Sequence, residues 1–288
     1  MSSHQVFPGR RGSDSWVHGT KGRVLFKGRI ENVGNNDVVL YERRDGVAII
    51  TFNRPDTLNA LNMEVNGKLI ELLTMAEKDE DVRVVILTGA GKKAFVAGAD
   101  IKEMLTMDAI GAREHAIRAK CAVDRISNLT KPVIAAINGF CLGGGMEYAM
   151  ACDFRVASEN AKFGLPEINL GIMPGSAGTQ RLPRLIGMGR AKELVYSGTM
   201  IDAHEAYALR LINHVFSQEN ILEETLKVAH RIASKSSVAL SLIKSAMNKG
   251  TEIDLESASM FEIDCFALCF ATEEQKKGMA EFINKKKG

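Results

Sequence analysis

Short runs of β-branched residues alternate with amphipathic stretches along the first two thirds of the chain. The runs 38–41 and 47–52 flank Asp45-Gly46, a dipeptide that favours a tight hairpin turn. Apolar residues at helical spacing follow across 63–76. The same order, two strands and then a helix, recurs further along and predicts an α/β core.

The remaining elements follow from the same two periodicities. We predict strands at 82–88, 132–137 and 154–157, and helices at 102–129, 144–151, 191–196, 203–211, 221–234, 238–249 and 255–283. After Pro174 the pattern is mostly helical. This helical region has apolar faces of its own, which can pack on the core or on a neighbouring subunit.

The chain divides into three parts. Residues 1–36 hold Gly, Ser, Asn and scattered basic residues without a clear period, which predicts a disordered leader or a tag-derived segment. An organellar targeting segment is the alternative for this part. Residues 37–230 form the predicted core with the substrate site, and residues 231–288 form a helical C-terminal region.

Composition excludes several classes of function. The chain has 288 residues, a net charge of +2 and 25% charged residues, which gives no electrostatic argument for binding nucleic acid or a membrane. No apolar run reaches the roughly 18 residues needed to span a bilayer. Five cysteines without a CxxC pair predict no disulfide framework and a reducing compartment.

Metal catalysis is also disfavoured, because no histidine has a metal-type spacing to another histidine or to a cysteine. The sequence therefore predicts no metal site. The histidines that we interpret as structural or surface residues are His115, His204, His214 and His230.

A glycine triplet is the first candidate for chemistry. Gly143-Gly144-Gly145 follows a predicted strand and precedes a predicted helix, so its backbone can approach a ligand closely. N–H groups at a helix N-terminus favour negative charge. A tight turn without a ligand has the same pattern. Glu147, about one helical turn further in, is explained equally well as a favourable charge near the helix start.

Two other segments can complement that turn. Ala97-Gly98-Ala99 also precedes a helical stretch, so its N–H groups can oppose those of the glycine triplet, as an oxyanion needs. A small-residue turn packed against a strand is the alternative. Glu167 follows Pro166 in a loop-like stretch, where a solvated surface carboxylate is the simplest explanation.

Six motifs in a fixed order give these segments a common meaning. They are Asn53-Arg54-Pro55 with Asn59-Ala60-Leu61-Asn62, Phe95 through Met104, Lys131 through Ala136, Leu142 through Glu147, Phe163 through Glu167, and Pro174-Gly175 with Gly178-Thr179-Gln180-Arg181. In this order and spacing the chain resembles the crotonase (enoyl-CoA hydratase/isomerase) superfamily from about Val38 to Lys287.

The resemblance implies a fold, an assembly and a substrate. It implies an α/β crotonase (ClpP-like) spiral of repeated ββα units, with a helical C-terminal region that forms a homotrimer or a hexamer. The implied substrate is an acyl-CoA thioester, with no cofactor other than its own coenzyme A. Its carbonyl oxygen would bind the N–H groups of Ala99 and Gly144. The implied substrate-binding residues are Ala99, Asp100, Ile101, Lys102, Gly144 and Gly175.

The hydratase branch is implied by two filled acidic positions. In that branch two glutamates hold and activate a water, and Glu147 and Glu167 occupy these positions here. Addition of water to an α,β-unsaturated thioester pushes charge onto the carbonyl oxygen, which two preorganised donors stabilise. We assign Glu147 as the base toward water and Glu167 as the acid that protonates the α-carbon.

The sequence therefore predicts an enoyl-CoA hydratase that reversibly adds water, with syn geometry, to a trans-2-enoyl-CoA in fatty-acid metabolism and β-oxidation. The open alternatives are 3-hydroxyacyl-CoA dehydration, methylglutaconyl-CoA hydration and enoyl-CoA isomerisation. RNA binding is the non-enzymatic alternative, but the mixed charges of the 113–124 helix favour a solvated face. The bacterial cytoplasm is the predicted location, with the mitochondrial matrix as the alternative.

Overall fold

The computed structural model describes residues 37–285. The predicted leader, residues 1–36, lies outside the described residues. The strands are β1 (Val39–Arg44), β2 (Val47–Phe52), β3 (Val84–Gly89), β4 (Ala94–Ala97), β5 (Val133–Ile137), β6 (Phe140–Leu142), β7 (Phe154–Ser158), β8 (Lys162–Gly164), β9 (Ile201–Asp202) and β10 (His214–Phe216).

Helices follow the strand pairs and then dominate the C-terminal third. They are α1 (Met63–Lys78), α2 (Ile101–Met104), α3 (Ala109–Ser127), α4 (Gly144–Ala151), α5 (Gly178–Ile186), α6 (Met188–Ser197), α7 (Ala203–Ala208), α8 (Ile221–Ala233), α9 (Ser237–Gly250), α10 (Leu255–Cys269) and α11 (Glu273–Lys285). Two short 3-10 helices lie at Pro55–Thr57 and Pro166–Leu170.

The strands form two sheets, and each repeated pair of strands contributes one strand to each sheet. The larger sheet has the order β1-β2-β3-β5-β7-β10 and the smaller one β4-β6-β8-β9. In the successive pairs β3-β4, β5-β6 and β7-β8, the first strand joins the larger sheet and the second joins the smaller one. Strands from successive pairs lie next to each other and run parallel in both sheets. This arrangement confirms the expected spiral of ββα units.

The larger sheet is buried on both faces, which explains its continuous apolar runs. Ala48, Ile50 and Phe52 of β2 join the core cluster that includes α1, α3 and α4. Val47 and Ile49, of opposite parity, join a second cluster that is closed by α8. Successive side chains of β2 therefore point to opposite faces of the sheet and pack against different layers of helices.

Close packing of α4 against β4 fixes the geometry at the edge of the smaller sheet. A Cβ on Gly145 would lie 2.2 Å from the backbone oxygen of Val96, so this position accepts only glycine. β4 and β6 run parallel with Ala97 beside Leu142. Because the carboxyl ends of parallel strands meet at one edge, the turns after β4 and β6 lie side by side.

Several predicted elements were wrong or missing. The smaller sheet and β10 were not predicted, because strands of two to four residues carry no readable period. Helix α5 was also not predicted, since Pro183 lies inside it and proline disfavours a helix interior. The predicted helix 102–129 is two helices, and Asp108 begins the second by accepting a hydrogen bond from the Gly111 N–H at 2.7 Å. The predicted helix 255–283 is also two, and Thr272 accepts from the Gln275 N–H at its second start.

The C-terminal helices leave large apolar side chains on the surface. Leu255, Phe266 and Phe282 are each more than half exposed. Such a surface is consistent with the predicted subunit contact, which stays a prediction. Across residues 37–285, no helix is both long enough and apolar enough to cross a membrane.

Candidate active site

The two glycine-bearing turns present free backbone donors to one cavity. Leu61 pairs with the first turn through its N–H to the Gly98 oxygen (2.9 Å) and its oxygen to the Asp100 N–H (2.7 Å). The Ala99 N–H between them therefore faces away from Leu61. Gly144 is the first residue of α4, whose leading N–H groups have no intrahelical partner.

These donors have no acceptor of their own. In the described part of the chain, neither the Ala99 N–H nor the Gly144 N–H makes a hydrogen bond. Both residues line a cavity of about 520 Å³. Two unpaired N–H groups beside a cavity are what a developing oxyanion requires.

Glu147 lies in the same cavity and is held by the start of α5. The residue is only 3% exposed, and its Oε1 accepts hydrogen bonds from the N–H groups of Ser176 (2.7 Å) and Gly178 (2.8 Å). Burial raises the pKa of Glu147, while these two donors act in the opposite direction. Burial has the larger effect, so the pKa of Glu147 is raised, and the two donors reduce this rise while they anchor the carboxyl group.

Gly178 allows this anchoring because it has no side chain. A Cβ there would lie 2.9 Å from Glu147 Oε1 and 3.0 Å from the Pro174 Cβ. We expect Gly178→Ala to displace the Glu147 carboxyl group and to lower kcat about 10- to 100-fold. Steady-state kinetics against the helical control Gly189→Ala, where a Cβ meets nothing within 4 Å, measures this effect. Equal kinetics for the two variants would contradict the steric explanation.

Glu167 lines the same cavity and lies on the 3-10 helix after β8. A Cβ on Gly143 would lie 3.0 Å from Glu167 Oε1, so the glutamate packs on the glycine turn. Its Oε2 is buried and has no hydrogen-bond partner within residues 37–285. Burial raises the pKa of Glu167 to about 7, and the Glu147 charge adds to this shift.

A stability prediction follows from this pKa. Because the folded-state pKa of Glu167 is raised, its contribution to stability is present below pH 4.5 and is lost as the pH rises through about 7. Glu167→Gln lacks this loss, so its free energy of unfolding relative to the native protein should increase between pH 4 and pH 8. Full linkage gives roughly 3 kcal/mol, and we expect roughly 2 kcal/mol because the side chain is partly exposed and solvent screens its interactions. Urea unfolding at both pH values measures the difference. A constant difference would contradict the raised pKa.

The two carboxyl groups therefore differ in environment. Glu147 is anchored by two backbone donors, which favour its charged form, whereas the buried Glu167 oxygen has none. Pairs of carboxyl groups in unlike environments divide into a base and an acid. The arrangement suits proton removal by Glu147 and proton delivery by Glu167, the roles that the sequence predicted.

The structure separates the predicted substrate-binding residues. Ala99, Ile101, Gly144 and Gly175 line the cavity with both glutamates. Asp100 and Lys102 are not in this lining. Lys102 is exposed, and the Asp100 carboxylate pairs with Arg54 at 3.0 Å and caps α2 through the Lys102 N–H.

Sequence reasoning missed two polar residues of the cavity wall. His115, which we interpreted as structural or surface, lines the cavity on the α3 face that also carries Ala112, Ala116 and Ala119. This spacing of three and four residues is a readable helical signal. Asn66 of α1 also lines the cavity, and its Oδ1 accepts a hydrogen bond from the buried Tyr148 hydroxyl at 2.7 Å.

Comparisons with known proteins agree with this geometry. The sequence profile of a family described as enoyl-CoA hydratase/isomerase matches residues 42–288. The chain is 47% identical over 249 residues to the crotonyl-CoA hydratase of Syntrophomonas wolfei, covering 86% of this chain and 96% of the relative. It is also 47% identical over 252 residues to the short-chain-enoyl-CoA hydratase of Clostridium acetobutylicum, covering 88% and 96%.

Solved structures show the same fold. The enoyl-CoA hydratase from Bacillus anthracis superposes with a TM-score of 0.81 at 39% identity, covering 89% of this chain and 96% of that one.

Proposed function

The chain belongs to the enoyl-CoA hydratase/isomerase (crotonase) family, in its hydratase branch, and we propose that it adds water to short-chain trans-2-enoyl-CoA thioesters. It is an enoyl-CoA hydratase, a carbon–oxygen lyase. One observation carries the assignment of the site: Glu147 and Glu167 face one cavity in contrasting environments, beside two unpaired N–H groups.

The proposed reaction uses each group once. Glu147 takes a proton from water as its oxygen attacks C3, and the π electrons move toward the thioester oxygen. The N–H groups of Ala99 and Gly144 stabilise this oxyanion. Glu167 gives its proton to C2, and a proton then passes from Glu147 to Glu167 to restore the pair.

The cavity wall favours an uncharged acyl chain, and the short chain in the proposal is supported by the names of the two bacterial relatives. Its lining contains Met104, Met107, Leu170 and Met173, and among the described residues it contains no lysine or arginine. A second carboxylate, as in methylglutaconyl-CoA, would be desolvated there with no permanently charged partner, since His115 is the only basic side chain among the described lining residues. An isomerase needs only one acidic position, so the filled pair supports hydration. Hydration and dehydration use the same site.

An assay across chain lengths tests this proposal. Loss of the conjugated-thioester absorbance is followed with trans-2-enoyl-CoA substrates of four to ten carbons, and kcat/KM should be highest for crotonyl-CoA. Methylglutaconyl-CoA and a trans-3-enoyl-CoA are the matched alternatives. No loss with any linear substrate, together with turnover of either alternative, would overturn the proposal.

The pH dependence of the rate tests the protonation states assigned to Glu147 and Glu167. The cycle begins and ends with one proton on the pair, so kcat/KM should fall as the pH rises above about 7, where Glu167 loses its proton. Because the overall reaction takes up no proton, hydration of crotonyl-CoA and dehydration of 3-hydroxybutyryl-CoA should share one profile. A kcat/KM that stays constant as the pH rises above about 7 would contradict this scheme.

Assembly and location are part of the proposal. The exposed apolar side chains of α10 and α11 support a homotrimer or hexamer, with these helices as a contact surface. The bacterial relatives support a cytoplasmic enzyme.

On α3, Arg118 pairs with Glu114 and Lys120 pairs with Asp124, which leaves little free positive charge for RNA.

A further inference from the structure

We propose that the ion pair between Arg54 and Asp100 is a positioning device, which aims the Ala99 N–H at the thioester oxygen without contacting the substrate. This inference rests on the proposed hydratase function. It assigns to the Asp100 carboxylate a role in kcat rather than the direct substrate contact that the resemblance implies.

The backbone on both sides of Ala99 is tied to one short segment. The Leu61 N–H donates to the Gly98 oxygen at 2.9 Å, and the Asp100 N–H donates to the Leu61 oxygen at 2.7 Å. Arg54 joins these ties, because its Nη1 donates to the Ala60 oxygen at 2.6 Å and its Nη2 to Asp100 Oδ2 at 3.0 Å. The Arg54 guanidinium therefore binds both segments of this contact, the one that contains Leu61 and the one that contains Ala99.

Arg54 is itself anchored to the beginning of β4. Its backbone N–H donates to Asn59 Oδ1 at 2.9 Å, and Asn59 Nδ2 donates to the backbone oxygens of Ala90 (3.1 Å) and Ala94 (2.8 Å). Asn59 is 1% exposed. The segment 54–61 is therefore hydrogen-bonded both to the start of β4 and to the turn that follows the end of β4.

The turn after β4 needs these hydrogen bonds because Gly98 makes its backbone easy to rotate. Gly98 has φ +99, a conformation that L side chains rarely adopt, and glycine lets the backbone rotate there at little cost. Rotation at Gly98 changes the direction of the next N–H, which belongs to Ala99. Oxyanion stabilisation depends on donors that are already aimed before the charge develops. Fixing Asp100 restricts that rotation.

The environment of the pair suits this role. The Arg54 and Asp100 side chains are 20% and 19% exposed, so their attraction is less screened than that of a surface pair. Hydrogen bonding from Arg54 lowers the pKa of Asp100, which keeps the carboxylate charged. Its Oδ1 accepts from the Lys102 N–H at 3.3 Å, so the two oxygens serve two different partners.

Asp100→Asn tests the proposal with little change of shape. The amide retains an acceptor for the α2 cap but loses the charge that binds Arg54. We expect kcat for crotonyl-CoA to fall about 10- to 100-fold with KM within about 3-fold, because an ill-aimed donor weakens oxyanion binding more than ground-state binding. Arg54→Lys, which retains the charge without the forked geometry, should show an intermediate loss.

A vibrational measurement separates aiming from mere structural support. The carbonyl stretch of bound, isotopically labelled butyryl-CoA should move to higher wavenumber in Asp100→Asn, because a poorly aimed N–H polarises the carbonyl less. The matched control is Asp81→Asn, which removes a 3.0 Å pair with Arg43 on the outer hairpin. This control should leave both kcat and the carbonyl stretch unchanged.

Each other outcome overturns the proposal. A rise in KM alone assigns Asp100 to substrate binding, and a fall in kcat with an unmoved carbonyl stretch assigns it to structural support. If Asp100→Asn does not fold, Arg54→Lys decides by the same two readouts. The carbonyl stretch needs no turnover, so the aiming of Ala99 is tested even if crotonyl-CoA proves not to be a substrate.

Discussion

Replacement of Glu167 by glutamine is expected to lower kcat for crotonyl-CoA hydration by about 10³-fold, with KM changed only a few-fold. The amide retains the shape of the side chain on the Gly143 turn but has no proton of suitable acidity to give to C2. General acid–base groups contribute about 10²- to 10⁴-fold to rate. Steady-state kinetics with purified variants measures the change.

Glu147→Gln is the matched comparison for this prediction. Its amide oxygen can still accept hydrogen bonds from the Ser176 and Gly178 N–H groups, so the side chain should remain in place while the base is lost. We expect a loss of similar size, and the double variant should lose less than the product of the two single losses, because the pair acts as a unit. Normal turnover by Glu167→Gln would remove that residue from the mechanism.

Local sequence signals predicted the elements whose geometry is local. Asp45 and Gly46 have φ values of +45° and +81°, the geometry that a tight hairpin turn requires. The helix predicted at 144–151 begins and ends at those residues. In contrast, β6 and β8 have three residues each and exist only through pairing within the smaller sheet. β6 runs parallel to β4 and β8, and β8 runs antiparallel to β9. Such pairing depends on contacts distant in sequence.

The candidate site also has a part that the sequence predicted and a part that depends on tertiary contacts. Order and spacing of motifs nominated Glu147 and Glu167, but their different environments could not be read from the chain. The donors that anchor Glu147 come from Ser176 and Gly178, 29 and 31 positions further along. The Arg54–Asp100 pair spans 46 positions. Which side of α3 faces the cavity, and hence the place of His115, is likewise set by tertiary packing.

Gly143→Ala is expected to lower kcat about 10²-fold by disturbing the glycine turn and Glu167 together. Gly143 has φ +51° and ψ −124°, a conformation essentially restricted to glycine. A Cβ there would lie 3.0 Å from Glu167 Oε1 and 3.5 Å from the Gly98 Cα. Because the Gly144 N–H follows this residue directly, strain at Gly143 also moves the oxyanion donor. Misplacement by about 1 Å can cost 10²-fold in rate.

Gly171→Ala is the matched control, because it also places alanine at a positive φ. Gly171 ends the 3-10 helix that carries Glu167, has φ +73°, and its added Cβ would meet nothing within 4 Å. It should cost about 1 kcal/mol of stability and leave kcat nearly unchanged. If Gly143 acts partly through Glu167, then adding Gly143→Ala to Glu167→Gln should cost less than it does in the native protein. Full additivity would mean that the turn acts on the oxyanion alone and that its contact with Glu167 is incidental.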